Sequence, residues 1–565
     1  MISAKFEKNL KGLIAACIKD MEREGLVKLS LPNGAHIPDI ELEGPRDKHH
    51  GDLSTNVALQ LAKYAKKNPA DYAALLSERI NTSLKKSDLK DTIEKVESKP
   101  PGFINFWFSE SHLLETLEYI SLKKTRYGSI DLGRGMRVDI EFVSANPTGP
   151  LTIAHGRQAA FGDSLANILA FAGYRMTREY YVNDEGNQMN ILAQSIRARY
   201  LESYAITAEF PAEGYQGSYI KDITAAIKEK YGTRFIKKES LEFFKDFGCK
   251  WLLADIKDDL GKFNVKFDVW YSQKKLGQSN RIKNAINFLS KKCLIYEKGG
   301  ALWFKSTDLG DDKDRVIIKS TGEYTYLAPD IAYHMHKFKR GFERLIDIWG
   351  PDHHGYIPRM KAAVRAMGRK DECFYPLIIQ LSTLYRNGKA VQMSTRAGEF
   401  MTLRELREEA GFDAARFFFL RRKKDSHLDF DMELAKKHSM DNPVYYIQYA
   451  HARISSLLEY KNTLRSAAKG PVDKEYLRGK DELDVIKTLG YFPLIIETCA
   501  KTLEVFPLLA YLEEVASSFH SYYNRHRIVT DDRRETRAKL FLCLAIQTVI
   551  ANGLRLLGVT SPESM

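Results

Sequence analysis

Cysteine is scarce in this chain, with six residues among 565 and no C-x-x-C pair. Cysteines so far apart argue against both a disulfide framework and a zinc cluster, and they fit a reducing cytoplasm. The N-terminal helix pattern carries Glu7 and Asp20 among its lysines, unlike a signal or transit peptide. No apolar run reaches membrane-spanning length. We therefore expect a cytoplasmic protein with no membrane contact.

The chain also lacks a one-sided charge, since 86 Lys and Arg residues stand beside 73 Asp and Glu residues, a formal net charge of +13. Such an excess marks either a polyanionic partner or a solvated surface, and charge alone leaves both open. The hydrophobic fraction of 44% and the charged fraction of 28% are typical of a folded protein. A chain of this length is too long for one hydrophobic core, and the length predicts about three or four domains.

The sequence pattern changes twice along the chain. Residues 1–110 mix helical periodicity with short strand-like runs and predict a small α+β domain. Strands and helices alternate over residues 128–425, which predicts a parallel sheet flanked by helices, with an insertion at about 201–311. Residues 440–565 have helical periodicity and predict an all-α bundle.

Strand and turn signals define the predicted parallel-sheet region more closely. A strand at 137–143 leads through a loop into a helix that ends near Gly173, and a strand at 179–182 follows. A second strand at 345–349 leads into a helix, and a strand at 377–384 leads into a hairpin turned by Asn387-Gly388.

The loop and helix start at 144–157 lie where α/β enzymes bind ligands. Unpaired N–H groups and the helix dipole favour phosphate there. The small residues Gly149, Ala154 and Gly156 would let the backbone approach a ligand. The segment lacks the G-x-x-x-x-G-K-[ST] pattern, so it is not a P-loop. The alternative is a plain rigid turn carrying a surface histidine, His155.

This segment resembles the H-I-G-H region of class I aminoacyl-tRNA synthetases, and its flanks are similar to arginyl-tRNA synthetases. Further stretches agree with that family in order along the chain, at 47–61, 180–188, 349–355, 392–398, 442–453 and 557–565. The resemblance therefore runs from end to end.

The resemblance implies an α/β Rossmann-like class I catalytic domain, an N-terminal α+β domain that contacts the tRNA elbow, and a C-terminal all-α anticodon-binding domain. It implies an arginine–tRNA ligase that forms arginyl-adenylate from ATP, with Mg²⁺, and then transfers arginine to tRNA(Arg). No enzyme nucleophile is expected, so catalysis consists of positioning and charge stabilisation. We expect a monomer.

An arginine pocket must offer acceptors to a guanidinium that has only donors. Asp139 and Glu141 alternate with apolar residues in a strand that a parallel sheet would bury on both faces, so Glu141 is misplaced unless it faces a crevice. The alternative is an edge-strand surface acid. The resemblance places Glu141 and Asn146 at the substrate and suggests Tyr326 and Asp330 as guanidinium contacts.

Two further sets of polar residues follow predicted strands. Asn183, Asp184 and Gln188 open a helix, which suits contacts of Asn183 and Gln188 with the substrate, although simple N-capping is the alternative. His353 and His354 could be metal ligands together with Asp352, but adjacent side chains rarely both reach one ion, so no metal site is expected. Asp352 and His354 are therefore assigned to the nucleotide. The residues expected to bind ATP are Ser144, Gly149, Ala154, His155, Gly156, Asp352, His354 and Met393.

Both family signatures are altered. Thr152 stands where the family commonly has the first His, and Ala154 stands where it has Gly. The second signature, K-M-S-K-S, reads Q-M-S-T-R at 392–396, without either lysine. Gly149 stands where some arginyl enzymes lacking that second lysine carry one. Arg386, Lys389 and Arg396 lie near the signature, and of these Arg396 is predicted to supply the charge, with a solvated loop arginine as the alternative. The residues expected to act in catalysis are Thr152, His155, Ser394 and Arg396.

Tyr445, Tyr446, Tyr449 and Arg453 interleave aromatic rings and charge on one predicted helix, as base-stacking surfaces do, although such tyrosines more often pack a helix interface. Two other functions are open at this point. A catalytically silent tRNA-binding protein would bind tRNA without aminoacylation, and a small-molecule nucleotidylyltransferase would have no use for the long helical C-terminal domain.

Overall fold

The computed structural model describes residues 4–30, 37–44, 50–237, 240–391, 400–459 and 472–565. Met393, Ser394 and Arg396, predicted to bind ATP or act in catalysis, lie outside the described residues and stay predictions.

The N-terminal region packs helices against a three-stranded antiparallel sheet of order β1-β3-β2. Its elements are α1 (Ala4–Arg23), β1 (Leu53–Thr55), α2 (Val57–Ala65), α3 (Pro69–Leu84), β2 (Ile93–Lys99), β3 (Phe103–Phe108) and α4 (Glu110–Lys123). Leu10, Ile14 and Cys17 on α1 are fully or almost fully buried, so the predicted amphipathic helix is confirmed.

The central region has a parallel sheet with helices around it. Its first part comprises β4 (Arg137–Glu141), α5 (Ile153–Phe171), β5 (Arg175–Val182), α6 (Asn187–Glu202), α7 (Ser218–Tyr231), α8 (Glu242–Lys262), β6 (Val269–Ser272), α9 (Gln273–Gly277), α10 (Arg281–Lys291), β7 (Ile295–Lys298), β8 (Ala301–Phe304) and β9 (Arg315–Ile318). Its second part comprises α11 (Leu327–Lys339), β10 (Arg344–Trp349), α12 (Ile357–Ala366), β11 (Phe374–Ile378), β12 (Ser382–Arg386), β13 (Lys389–Ala390), α13 (Leu403–Ala410), α14 (Phe412–Leu420), β14 (Leu428–Asp431) and α15 (Met432–Lys436).

The main sheet has the order β11-β10-β4-β5-β6, and all of its neighbouring strands are parallel. After β4, the next two strands of the sheet, β5 and β6, lie on one side of β4. The later strands β10 and β11 lie on its other side. The strand order therefore reverses between β4 and β10, and open sheets of this kind bind ligands beyond the carboxyl ends of the strands at that point.

The predicted insertion at 201–311 is wrong as a separate unit, because strand β6 lies within it and pairs in parallel with β5 at the sheet edge. Helices α6 to α8 do share a core of their own, and β7, β8 and β9 form a separate antiparallel sheet. A strand of four residues at an edge carries too short a pattern for the sequence to reveal.

The hairpin predicted at Asn387-Gly388 is confirmed. Strands β12 and β13 pair antiparallel, with Arg386 opposite Lys389. Asn387 has φ of 50° and Gly388 has φ of 73°, the positive values that two-residue hairpin turns require.

The C-terminal region is helical, as predicted, with α16 (Pro443–Glu459), α17 (Lys480–Gly490), α18 (Phe492–Thr502), α19 (Phe506–Arg525) and α20 (Arg533–Leu557). By length and composition α20 could cross a membrane, contrary to the expectation that no run is long enough, but 67% of its apolar window is buried inside the protein, as in a core helix. Tyr127, between the first two regions, is fully buried and donates its hydroxyl to the Leu489 carbonyl at 2.8 Å.

Candidate active site

The loop after β4 is held in an uncommon backbone conformation. Val143 and Ser144 have φ of 66° and 39°, and such left-handed conformations of non-glycine residues cost about 1–3 kcal/mol each. Ser144 Oγ donates to Glu141 Oε1 at 3.2 Å and accepts the Tyr181 N–H at 3.0 Å. These contacts compensate for the strain and fix Ser144 at the crevice, between the ends of β4 and β5.

The first turn of α5 fixes the proton of His155. The Thr152 N–H donates to His155 Nδ1 at 3.1 Å, and burial lowers the pKa of His155 to about 4. The ring is therefore neutral at physiological pH, with its proton on Nε2. His155 can thus donate one hydrogen bond to an anion at the helix start.

Gly156 is small because neighbouring side chains pack closely against it. An added Cβ would lie 2.8 Å from Leu403 Cδ1 and 2.9 Å from Phe419 Cε2, and its N–H already bonds to the Thr152 carbonyl at 3.0 Å. The small size of Gly156 thus has a packing reason, and its expected contact with ATP stays a prediction. Ala154 is exposed on the first turn, and a Cβ at Gly149 would lie 3.2 Å from the Tyr219 hydroxyl oxygen.

Three acids lie side by side across three neighbouring strands. Glu141 on β4 is in register with Asp347 on β10 and with Glu179 on β5. Since β4 is the central strand of the five, the alternative that Glu141 is an edge-strand surface acid is excluded. Asp139 precedes Glu141 by two residues and is completely buried, so it adds a fourth acid to the same face.

Helix α11 covers this row of acids with cationic side chains. Lys337 Nζ lies 2.6 Å from Glu141 Oε2, 3.0 Å from Asp139 Oδ1 and 3.1 Å from Asp347 Oδ1. Arg340, next to the helix end, donates to both oxygens of Glu179 at 2.6 and 2.8 Å. Although burial favours the neutral acid, Lys337 and the nearby His334 lower the pKa of Asp347 to about 2.

His334 is placed to donate from both ring nitrogens, because both face acceptors. Nδ1 lies 2.8 Å from the Asp330 carbonyl oxygen and Nε2 lies 2.7 Å from Asp347 Oδ2. Burial disfavours the charged ring, but the Asp347 charge outweighs it and raises the pKa of His334 above its ordinary value. The acid row therefore meets three cations: His334, Lys337 and Arg340.

Asp330 lies at the same crevice. Its Oδ2 accepts the Tyr356 hydroxyl at 2.5 Å. Burial and the negative charges of Asp330 and Glu141 raise the pKa of Tyr181, so both acids lie near this ring. Tyr326 is 78% exposed at the start of α11, away from the buried charges. Tyr181, Tyr356 and Lys337 were not singled out from the sequence.

The loop after β5 faces the loop after β4. Asn146 Nδ2 donates to Gln188 Oε1 at 2.6 Å, so the fold brings together two residues predicted to contact the substrate. Asp184 accepts the Lys274 N–H at 2.8 Å, and it therefore caps α9 rather than α6. Asn183 Oδ1 is buried with no hydrogen-bond partner among the residues that the structure describes.

The loop after β10 is a short 3₁₀ helix, Pro351–Tyr356, which carries Asp352 and His354. Both side chains are exposed. A Cβ at Gly350 would lie 3.8 Å from Gln158 Nε2 on α5, so this loop adjoins the first turns of α5. Within the described ranges no three His, Cys, Asp or Glu residues are placed to hold a metal ion.

Arg157 organises the region beyond α5 and was not predicted to do so. It is 2% exposed, and its guanidinium donates to the carbonyl oxygens of Gln380 at 2.7 Å, Lys423 at 3.0 Å and Ser426 at 3.0 Å. These bonds tie the segment before β12 to the one before β14. No local sequence signal predicts such contacts, which join segments more than 200 residues apart.

The C-terminal bundle presents aromatic rings near a cation. Tyr445 and Tyr449 stack at 6.0 Å between centroids, and Arg453, which is exposed, donates to the Tyr449 hydroxyl at 2.7 Å. Tyr446 packs against His520 at 4.5 Å. All three tyrosines are half-buried. Tyr449 also stacks on His520 at 6.0 Å and lies beside the positive charge of Arg453.

Three families match consecutive parts of the chain. They are described as Arginyl tRNA synthetase N terminal domain over residues 8–108, tRNA synthetases class I (R), catalytic domain over 116–454, and DALR anticodon binding domain over 447–565.

Relatives with curated names match over their full length. The Arginine--tRNA ligase of Geobacillus kaustophilus is 45% identical over 562 residues, covering 99% of this chain and 100% of the relative. The Arginine--tRNA ligase 2 of Bacillus thuringiensis is 45% identical over 560 residues, covering 98% and 99%.

Solved structures agree. A putative arginyl tRNA synthetase from Campylobacter jejuni matches with a TM-score of 0.73 and 33% identity, covering 81% of this chain and 100% of the other. The arginyl-tRNA synthetase of Thermus thermophilus matches with a TM-score of 0.77 at 20% identity, covering 99% and 100%, and so shares the fold.

Proposed function

The chain belongs to the arginyl-tRNA synthetase family of class I ligases, which use ATP to join arginine to tRNA, and on that premise we propose how its own residues divide this work. The observation that carries the proposal is the row of acids at the point where the strand order reverses. Four carboxylates face three cations there, which leaves one negative charge for a cationic substrate when all are ionised.

Glu141 and Asp330 bind the arginine side chain in this proposal. Glu141 Oε1 has only a long contact, 3.2 Å, with Ser144 Oγ, and a guanidinium can join it there. Asp330 has its Oδ2 fixed by Tyr356 and offers the second acceptor. Two carboxylates around a planar guanidinium form charge-assisted hydrogen bonds that a neutral side chain cannot replace. Tyr326, at the exposed start of α11, closes over the substrate from the rim.

The pair Asn146 and Gln188 holds the α-amino and carboxylate groups of arginine. The two amides bond to each other at 2.6 Å, and they retain one N–H donor of Asn146 and the amide donors of Gln188 for a ligand. Asn183, whose buried oxygen is unpaired among the described residues, contributes an acceptor to the ammonium group.

The start of α5 and the loop after β10 bind ATP. His155 donates through Nε2–H to the phosphates, beside Thr152, Ala154 and the Ser144–Gly149 loop, while Asp352 and His354 face the nucleotide from the other strand. The arginine carboxylate then attacks the α-phosphate, and pyrophosphate leaves. A terminal ribose hydroxyl of tRNA attacks the carbonyl of the arginyl-adenylate and takes the arginyl group, and AMP leaves. Mg²⁺ enters with ATP, because it is usually held by phosphates and few protein groups.

Arg396, Ser394 and Met393 complete the phosphate side in this proposal, on the family signature alone. Residues 1–110 contact the tRNA elbow and residues 440–565 its anticodon arm, where Tyr449 and Arg453 offer a ring and a charge to an unstacked base. We further propose that the protein works in the cytoplasm as a monomer.

The test is aminoacylation of unfractionated tRNA with each of the twenty amino acids in turn. Only arginine is expected to be attached. Glu141→Gln should raise the KM for arginine about 10- to 100-fold, since a charge-assisted bond to a buried acid is worth about 1.5–3 kcal/mol. Glu297→Gln, on an exposed strand, is the matched control. Attachment of another amino acid, or an unchanged KM, would refute the assignment.

A further inference from the structure

Lys337 is a completely buried lysine in the last turn of α11, the helix that covers the row of acids. Its ammonium group contacts acids from two strands, Asp139 and Glu141 on β4 and Asp347 on β10. A buried lysine normally loses its proton, yet these carboxylates raise the pKa of Lys337 well above its ordinary value. It is therefore a permanent positive charge beneath the candidate arginine pocket.

The strand register explains why a cation is required at this position. Glu141 and Asp347 are register partners on adjacent strands, whose axes lie about 4.8 Å apart. Like charges at opposed positions repel each other, and burial would make one of them take up a proton. Lys337 removes this conflict, because its Nζ lies within 3.1 Å of both carboxylates.

Lys337 also determines which oxygen of Glu141 remains for a ligand. Glu141 Oε2 accepts from Lys337 Nζ at 2.6 Å. It also lies 2.8 Å from the Tyr333 hydroxyl, whose single proton it shares with Glu179 Oε1 at 2.6 Å. Glu141 Oε1 points to Ser144, in the strained loop at the crevice. The carboxylate is thus anchored by its inner oxygen and presents its outer oxygen.

We propose that Lys337 is a positioning residue for arginine recognition, which keeps Glu141 ionised with Oε1 turned to the crevice and so sets the preference for a cationic over a neutral side chain. The inference rests on the proposed arginine pocket. Lys337 itself does not contact arginine. The charged and titratable groups that face it are Asp139, Glu141, Glu179, Tyr271, Tyr333, His334, Arg340 and Asp347.

The test measures arginine kinetics of aminoacylation for the full-length enzyme at pH 6 to 9 with saturating ATP and tRNA. Lys337→Gln keeps a hydrogen-bond donor and removes the charge, and Lys337→Met removes both. Lys339→Met, two residues along the same helix and exposed, is the control. We expect the KM for arginine at pH 7 to rise at least about tenfold in both Lys337 variants, with kcat changed less than about threefold. The reason is that each unit by which the pKa of an acceptor carboxyl rises above the pH lowers its ionised fraction about tenfold.

The pH profile separates positioning from a structural role. Without Lys337 the acids ionise at higher pH, so the pH at which arginine binding improves should shift upward by at least about one unit. Inhibition by citrulline, which replaces the guanidinium by a neutral ureido group, should weaken less than arginine binding does. A packing defect alone would lower thermal stability without moving either quantity.

The outcomes are distinct. If the parent enzyme does not attach arginine, the proposed function fails and not this inference. If the parent does so and the Lys337 variants keep its KM and pH profile, the inference is overturned. Should both variants fail to fold, Tyr333→Phe removes the hydroxyl that Glu141 Oε2 shares with Glu179 Oε1, without a charge change. It should raise the KM for arginine about threefold to tenfold, as loss of one hydrogen bond does, and an unchanged KM would overturn the inference.

Discussion

The Thr152 amide donates to His155 Nδ1 at 3.1 Å, so the fold itself decides which nitrogen of this histidine carries the proton. The alternative reading of His155 as a surface histidine on a plain turn does not explain this contact. A neutral ring with its proton on Nε2 is a fixed hydrogen-bond donor at the start of a helix, where the dipole already favours phosphate.

His155→Asn and His155→Ala test this donor. Asn can accept the Thr152 N–H in place of Nδ1 but cannot reach as far as Nε2, whereas Ala does neither. Both variants should lose about 10²–10³ in the rate of arginine activation, as removal of one charge-stabilising donor typically does. Only Ala should also lose about 1 kcal/mol of stability, because the cap is gone. Pyrophosphate exchange and denaturant unfolding measure the two effects, and a fully active Asn variant would contradict the assignment.

The pH dependence of folding stability has a definite sign for His155. Its folded pKa of about 4 lies below the ordinary value of 6.5, so the unfolded chain binds the extra proton first as the pH falls. Stability should therefore decrease between pH 6.5 and 4. His155→Asn should make this decrease shallower, and an equally steep decrease would show that His155 is not buried in the neutral form.

Gly156→Ala tests whether this glycine serves packing or ATP. The added methyl group would overlap Leu403 and Phe419, and overpacking of this kind costs about 1–3 kcal/mol. We expect a lower unfolding midpoint with the KM for ATP changed less than about twofold in the folded enzyme. Ala154→Gly, on the exposed side of the same turn, is the comparison. A Gly156→Ala enzyme of normal stability with weak ATP binding would restore the ligand-approach interpretation.

Arg157→Met should destabilise the protein strongly. Arg157 is 2% exposed and donates to several backbone carbonyl oxygens, and the variant would leave these acceptors buried without partners. We expect a loss of about 2–5 kcal/mol. Arg422→Met, in the exposed basic run nearby, should stay within about 0.5 kcal/mol of the parent in denaturant unfolding. Equal losses in the two variants would argue against a structural role for Arg157.

Asp139 should link arginine binding to pH. Burial raises its pKa to about 7 despite the opposing attraction of Lys337, so it holds a proton below that pH. Because a cation favours ionised acids, the KM for arginine should fall as the pH rises through about 7. Asp139→Asn should flatten this profile. An Asp139→Asn enzyme with the parent profile would assign the effect to another group.

Local patterns were sufficient for much of the fold. The periodicity of Leu10, Ile14 and Cys17 predicts α1, and Asn387-Gly388 predicts the hairpin, because each signal depends on near neighbours. The misplaced acid Glu141 likewise predicts a crevice, since an uncompensated carboxylate has no place in a buried strand.

The features of the site that the sequence did not reveal depend on strand register and tertiary packing. That Asp347, Glu141 and Glu179 form one row depends on strand pairings between residues far apart in the chain. A signal for Lys337 was present, since His334 and Lys337 share one face of a helix whose other neighbours are apolar and buried. Gly156 illustrates the reverse case, where a small residue beside a ligand loop is small because of a side chain from α13.

Pyrophosphate exchange, measured with each of the twenty amino acids in the presence and absence of tRNA, tests the central claim most directly. It reports formation of the adenylate at the crevice between β4 and β10, independently of arginine transfer. The account predicts exchange with arginine alone, and only when tRNA is present. Exchange with a different amino acid, or no exchange with arginine and tRNA together, would contradict it.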